Sequence, residues 1–193
     1  MAAQPTQRYT PEEYLALERQ AEYKSEYVDG EIFAMAGASE AHDFIAGEIY
    51  AALLVAFRGG PCAVLSSDVK VRVTGRRYVY PDVVAVCGER RYADDQKDVL
   101  LNPTVVFEVL SPSTEAYDRG NKADFYRSLL SLSDYVLVRQ DRPQLELYSR
   151  QPGDTWLLTV AKGRHGHLYI PSIECTLELA EVYQRVQVSE GDE

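Results

Sequence analysis

Apolar positions recur along this chain with two periods, and element boundaries are expected where the period changes. Ile45, Ile49, Ala52, Leu53 and Ala56 fall three and four apart, the spacing that lines one face of an α-helix, and Ser39 ahead of them can cap it. From Cys62 the period shortens to two. Val69, Val71 and Val73 alternate with Lys70 and Arg72 in "AVLSSDVKVRV", which predicts a strand with one wet face. "YVYPDVVAVC" and "TVVFEVL" follow as strands apolar on both faces. Upstream, "YTPEEYLALERQ" carries Thr10, Pro11 and Glu13 in capping-box spacing and predicts a short helix, while Asp29-Gly30 predicts a hairpin between strands at about 25–28 and 31–35. Downstream, "NKADFYRSLLSL" predicts a helix, then "DYVLVRQ", "QLELYSR", "TWLLTVAK" and "HLYIPSI" predict strands, and "TLELAEVYQRV" a last helix.

This order of elements predicts an α/β (α+β) fold, a mixed sheet flanked by helices, in a single domain over 1–187. The final "VSEGDE" predicts a solvated acidic tail at 188–193. No apolar run is long enough to cross a bilayer, and the start lacks the pattern of an export signal, so a cytoplasmic protein without a membrane partner is expected. Cys62, Cys87 and Cys175 are odd in number and widely spaced, which suggests buried thiols rather than a disulfide framework or a zinc site. The net charge of −10 counts against non-specific attraction to nucleic acid.

Two acids stand out against this pattern. Asp82 and Glu108 each interrupt a strongly apolar strand, where a lone carboxylate is disfavoured unless it is paired, protonated or bound to a cation. By alternation, Asp82 shares a face with Tyr80 and Val84, and Glu108 with Val106 and Leu110. If those faces align, the two carboxylates become neighbours, and an oxygen-only pair suits Mg²⁺ or Mn²⁺. Either acid alone reads better as a strand-end group satisfied by backbone amides or an arginine; the two together, with a lysine nearby, favour the metal reading. Lys122 follows Asp118, read as a helix N-cap, so its ammonium falls where the helix dipole disfavours a cation and another partner should hold it. The plain alternative is an Asp118–Lys122 surface pair.

"YPDVVAVC" followed by "NPTVVFEVLSPSTEAYDRGNK" resembles the Uma-type restriction endonuclease family, a branch of the PD-(D/E)XK nuclease superfamily. The likeness extends to "EYVDGEIFAMAGASEAH" and "IPSIECTLELAEVY", so it covers nearly the whole chain. It implies a restriction-endonuclease-like core, extended by the N-terminal hairpin and the C-terminal strands. It implies a DNA endonuclease in which Asp82, Glu108 and the backbone carbonyl of Val109 hold Mg²⁺ (or Mn²⁺) while Lys122 positions the attacking water. It further implies an acid from the N-terminal region at the metal, for which Glu26 and Glu31 are candidates, with His42 as a further polar group. A homodimer fits an enzyme that cuts two strands. The chain departs from the superfamily where the usual lysine, two residues after the acid, is Leu110. That departure, and the acidic total, keep open a catalytically silent nuclease fold that binds DNA or a protein, and a hydrolase of a smaller phosphoester. Lys70, Arg72, Arg76, Arg77, Arg90 and Arg91 are candidates for a phosphate-facing rim, Tyr78, Tyr80, Tyr117 and Tyr126 for base stacking, and His165 and His167 read as a surface loop.

Overall fold

The structure, a computed structural model, describes residues 7–187; the expected acidic tail at 188–193 lies outside the described residues. Helix α1 (Pro11–Glu18) starts where Thr10 closes both halves of a capping box, Glu13 N–H donating to its hydroxyl at 3.2 Å and its own N–H donating to Glu13 Oε2 at 2.8 Å. Strands β1 (Ser25–Val28) and β2 (Glu31–Ala34) form the expected hairpin. Its turn needs two left-handed residues, and Asp29 and Gly30 supply them at φ of 50° and 104°. Helix α2 (Glu40–Ala56) is capped by Ser39, whose hydroxyl accepts from His42 N–H, and it buries Ile45, Ile49 and Leu53 on one face.

The two long β runs that follow each divide between sheets. Strand β3 (Cys62–Ser66) joins a six-stranded sheet, and after a turn β4 (Lys70–Thr74) joins a five-stranded one. Likewise β5 (Arg77–Val79) lies in the five-stranded sheet and β6 (Val83–Cys87) in the six-stranded sheet. The residues between them are Tyr80, Pro81 and Asp82. Pro81 has no N–H to give a ladder, so pairing breaks there, and Asp82 stands at the head of β6 rather than inside a continuous strand. After β7 (Val99–Leu100) and β8 (Val105–Val109) come α3 (Glu115–Arg119) and α4 (Asn121–Arg127), then β9 (Asp134–Val138), β10 (Gln144–Gln151), β11 (Thr155–Lys162), β12 (His167–Ile170), β13 (Cys175–Glu178) and α5 (Leu179–Val182). The expected helix at 176–186 is therefore a strand first. Cys175, Leu177 and Leu179 are buried and alternate with exposed Thr176 and Glu178, a period-two run that pairs with β12.

The six-stranded sheet has the order β11-β10-β9-β8-β6-β3, with β8 and β9 parallel and the other neighbours antiparallel. The five-stranded sheet runs β2-β1-β5-β4-β7. Val83, Phe107, Val136 and Leu147 on one face of the larger sheet pack against α2, α5 and the β12–β13 hairpin. Val84, Val106, Leu110 and Leu137 on the other meet Ala123 and Tyr126 of α4 and Val71 and Val79 of the smaller sheet. A separate cluster of Tyr14, Tyr27 and Tyr78 locks α1 onto the smaller sheet. Each large side chain so enclosed contributes roughly 1.5–3 kcal/mol.

Three expectations change at this level. Lys70, read as part of a wet face, is buried, with its ammonium 3.1 Å from Asp98 and donating to the Tyr80 hydroxyl. Asp118, read as an N-cap, is a buried residue inside α3, and Gly120 precedes α4 instead. Cys62 and Cys87 are joined in a disulfide, because the antiparallel register of β3 and β6 sets them directly opposite one another. Only Cys175 remains a buried free thiol among the described residues.

Candidate active-site cleft

The seam between the two sheets opens into a cleft of about 1120 Å³. Asp82, Glu108, Lys122, Glu26, Asp118 and His42 all line it. Strand pairing brings the first two together. Val83 lies opposite Phe107 and Val84 opposite Val106, so the same register continued by one residue sets Asp82 across from Glu108. Asp82 Oδ2 accepts from Val109 N–H at 2.7 Å. Leu110 N–H, by contrast, donates to Val138 on the far side of β8. Since the N–H and C=O of a residue in a strand point the same way, the Val109 carbonyl is directed to the Asp82 side.

Lys122, in the first turn of α4, has its ammonium 2.9 Å from Glu108, 3.3 Å from Glu26 and 3.8 Å from Asp118, and it donates to the Tyr80 carbonyl at 2.9 Å. The side chain is buried, so this is no surface pair. Burial alone would pull its pKa down, but the facing carboxylates, Glu108 foremost, more than offset this and hold the ammonium charged. For Glu108 the balance runs the other way: burial, aided by the charges of Asp82 and Asp118, pushes its pKa well up against the opposing pull of Lys122. Asp118 is raised as well, chiefly by burial. The pocket thus holds more acid than one ammonium neutralises.

Two hydroxyls complete the cluster. Tyr126 donates to Glu108 Oε1 at 3.0 Å and Tyr117 to Glu26 Oε2 at 2.9 Å, while the other Glu26 oxygen accepts from Tyr80 N–H at 3.0 Å. Both tyrosines were candidates for base stacking, yet Tyr126 is fully buried and its role is to hold a carboxylate. Its spacing of four from Lys122 on one helix is the sequence signal that finds it. Tyr78 packs in the tyrosine cluster away from the cleft. His42 Nε2 lies 3.1 Å from Asp82 Oδ2, and its buried Nδ1 has no hydrogen-bond partner among the described residues. Burial pulls the His42 pKa down, and the Asp82 carboxylate raises it by more.

Other candidates fall elsewhere. Glu31 pairs with Arg8 and does not line the cleft. Arg76 and Arg77 both turn to Asp29, and none of Lys70, Arg72, Arg76, Arg77, Arg90 and Arg91 lines the cleft, so no basic rim forms there. His165 and His167 are exposed. Among charged groups the lining holds five carboxylates, Glu26, Asp43, Asp82, Glu108 and Asp118, against Lys24 and Lys122.

Among the described residues no group of three or more His, Cys, Asp and Glu is gathered in metal-binding geometry. The donors at the seam are nonetheless all oxygen, from Asp82, Glu108 and the Val109 carbonyl. They lie in a buried pocket that holds more carboxyl groups than Lys122 can pair with, a donor set that suits a hard divalent cation. The residues fit Mg²⁺ or Mn²⁺.

Comparison with known proteins agrees with this architecture. The model of the Uma2 family, described as "Putative restriction endonuclease", matches residues 11–180. Two uncharacterized proteins of Synechocystis sp. (strain ATCC 27184 / PCC 6803 / Kazusa) are similar along most of their length. One, slr1290, is 37% identical over 155 residues, covering 80% of this chain and 80% of its own. The other, sll1609, is 31% identical over 169 residues, covering 87% of this chain and 96% of its own. Among solved structures, a "putative nuclease belonging to DUF820" from Anabaena variabilis ATCC 29413 superposes with a TM-score of 0.74 at 17% identity. The superposition covers 91% of this chain and 98% of that one, and it shows a shared fold.

Proposed function

The chain belongs to the Uma2 family of restriction-endonuclease-like proteins, and from that premise we propose that it is a Mg²⁺- or Mn²⁺-dependent endonuclease that hydrolyses phosphodiester bonds in DNA. One observation carries the reading. Three chain segments that are distant in sequence bring Asp82, Glu108 and a buried, charged Lys122 to one cleft, with more carboxylate than the lysine neutralises. Such an arrangement is costly for a protein that only needs to fold.

Asp82, Glu108 and the Val109 carbonyl would hold the ion, which when bound supplies acidity to water and neutralises charge on the phosphate. The chain's own groups do the rest. Lys122 is kept protonated by its carboxylate neighbours, so it can orient an attacking water and meet charge on a phosphate oxygen. Glu26 holds that ammonium in place, and Tyr117 holds Glu26. Both Glu26 oxygens are already engaged, so we assign it to positioning rather than to the metal. Tyr126 fixes the rotamer of Glu108, and His42 does the same for Asp82. We read the enzyme as a homodimer, since two sites are needed to cut two strands. Among the described residues no helix is long and apolar enough to cross a membrane.

The test is cleavage of supercoiled plasmid by purified protein with Mg²⁺ or Mn²⁺ at low salt, beside Asp82→Asn and Lys122→Met, with calorimetric titration of the metal. Metal binding together with cleavage that both substitutions abolish would support the reading. Absence of metal binding would leave the silent scaffold, the alternative that Leu110 and the acidic lining favour. Metal binding with turnover of short phosphodiesters but not plasmid would redirect it to a smaller substrate.

A further inference from the structure

Strand β11 forms one edge of the six-stranded sheet, and among the described residues its outer row of backbone N–H and C=O groups faces no other strand. Natural edges are blunted by proline, bulges, short length or central charges. Strand β11 has none of these: it runs eight residues, pairs with β10 in unbroken register, and carries its one charge, Lys162, at the end. The opposite edge, β3, is only five residues long and is tied to β6 by the Cys62–Cys87 disulfide. The β11 edge is apolar on both faces, since Leu157, Leu158 and Val160 are 56%, 47% and 40% exposed and Leu157 points opposite to the other two. A groove of about 390 Å³ runs beside it, lined in part by Leu157, Val160, Leu168 and Tyr169. Four of the ten large apolar side chains exposed among the described residues are Leu157, Leu158, Val160 and Tyr169, a concentration that marks a contact surface rather than scatter.

We propose that β11 is a homodimer interface, pairing antiparallel with β11 of a second copy about a two-fold axis that passes at Leu158. The occupant follows from self-complementarity. Opposed residues in an antiparallel pair share a face, and a two-fold perpendicular to the sheet preserves faces. With the axis at Leu158, Leu158 meets its own copy, Trp156 meets Val160 and Leu157 meets Thr159, while Lys162 at the end of the strand faces the turn that precedes β11 in the other copy. The Asp154 carboxylate of that turn is already paired with Arg150, so the match rests on the apolar pairs about the axis. Trp156 against Val160 is an aromatic–β-branched pair of the kind that stabilises sheets. The pairing joins the two six-stranded sheets edge to edge, and no residue of β11 lines the cleft. It deepens only the homodimer part of the nuclease reading, and its test does not involve activity.

The experiment is sedimentation equilibrium of the full chain over the micromolar range, with Leu158→Lys as the disruptive variant and circular dichroism to confirm that it folds. The expected result is a dimer whose dissociation constant rises at least tenfold in Leu158→Lys, which sets two ammonium groups together at the axis. Leu158→Cys adds an independent reading. Opposed Cα atoms in such a pair lie about 4.5–5.5 Å apart, within disulfide reach, so mild oxidation should yield a covalent dimer. Leu157→Cys should not, because its copy lies on a diagonal about 7–8 Å away. A monomer at every concentration, a larger polymer, a dimer indifferent to Leu158→Lys, or failure of Leu158→Cys to cross-link would each overturn the assignment. A foreign strand as the true occupant would show as the first of these.

Discussion

Replacing Lys122 by Met tests whether the cleft cluster is a buried electrostatic unit. Methionine keeps most of the side-chain volume and removes the ammonium, so packing against Ala123 and Tyr126 changes little. What it leaves behind is the Glu108 carboxylate, which had its cation at 2.9 Å, and Asp118, which had it at 3.8 Å, both nearly fully enclosed. Breaking a buried pair by removing one partner costs about 3–5 kcal/mol, because the survivor is a desolvated charge. For a chain of this size that lowers the melting temperature by roughly 6–20 °C. The sign of the pH dependence follows from the acids left behind. Glu108 and Asp118 are already pushed above their ordinary values by burial, and losing Lys122 raises them further. An acid with a raised folded-state pKa binds more protons folded than unfolded, so the stability of the variant falls as pH rises through and above about 4. Denaturant unfolding followed by far-UV circular dichroism at several pH values measures both quantities. A loss below about 1 kcal/mol at neutral pH, or one that grows as pH falls, would refute the picture of an enclosed ammonium.

Two further substitutions probe the scaffold around the cleft. The Arg19 guanidinium, helped by Lys70 and opposed by burial, lowers the Asp98 pKa to about 2. With the partial exposure of the pair discounted, that contributes about 1–2 kcal/mol. This stability is present above the unfolded value near 3.8 and lost as pH falls towards 2, so the advantage of wild type over Asp98→Asn should vanish across that window in acid-unfolding curves. The Cys62–Cys87 link closes a loop of sequence separation 25, worth about 3.5 kcal/mol in the chain-entropy account. Cys62→Ser/Cys87→Ser should lower the denaturation midpoint by a corresponding amount relative to oxidised wild type, and match wild type treated with reductant.

Where local chemistry decides the structure, the sequence was sufficient. The capping box at Thr10 and the Asp-Gly turn at 29–30 each specify their element within a few residues, and both form as read. Where the outcome depends on which sheet a strand joins, periodicity is blind. Residues 63–73 and 78–87 read as continuous strands because hydropathy does not register a change of sheet, although Pro81 marks the second break. The run at 175–179 shows the converse, a period of two passed over in favour of a helix that occupies only 179–182. The carboxylates of the cleft were conspicuous because Asp82 and Glu108 each contradict an apolar strand. The hydroxyls that hold those acids were not, since Tyr117 reaches Glu26 across 91 residues and no short-range pattern joins them. The disulfide was missed for the same reason: only the register of β3 on β6 makes neighbours of Cys62 and Cys87.

Packing accounts for a leucine rather than a lysine two residues after Glu108. Val106, Glu108 and Leu110 share a face of β8, but that face changes character along its length. At Glu108 it meets Lys122 and the Tyr126 hydroxyl. At Leu110 it is 4% exposed, sits in a cluster with Ala123, Leu132 and Leu137, and does not line the cleft. A lysine there would replace apolar contacts with an ammonium whose nearest acids are already claimed by Lys122. Leu110→Lys is therefore expected to cost about 3 kcal/mol or more, as a buried charge without a free partner, whereas Leu110→Met should cost under about 1.5 kcal/mol. Denaturant unfolding of the two variants side by side separates charge from shape. If Leu110→Lys proved as stable as Leu110→Met, the strand would tolerate a lysine at this position, and the leucine there would need another cause than the packing of this face.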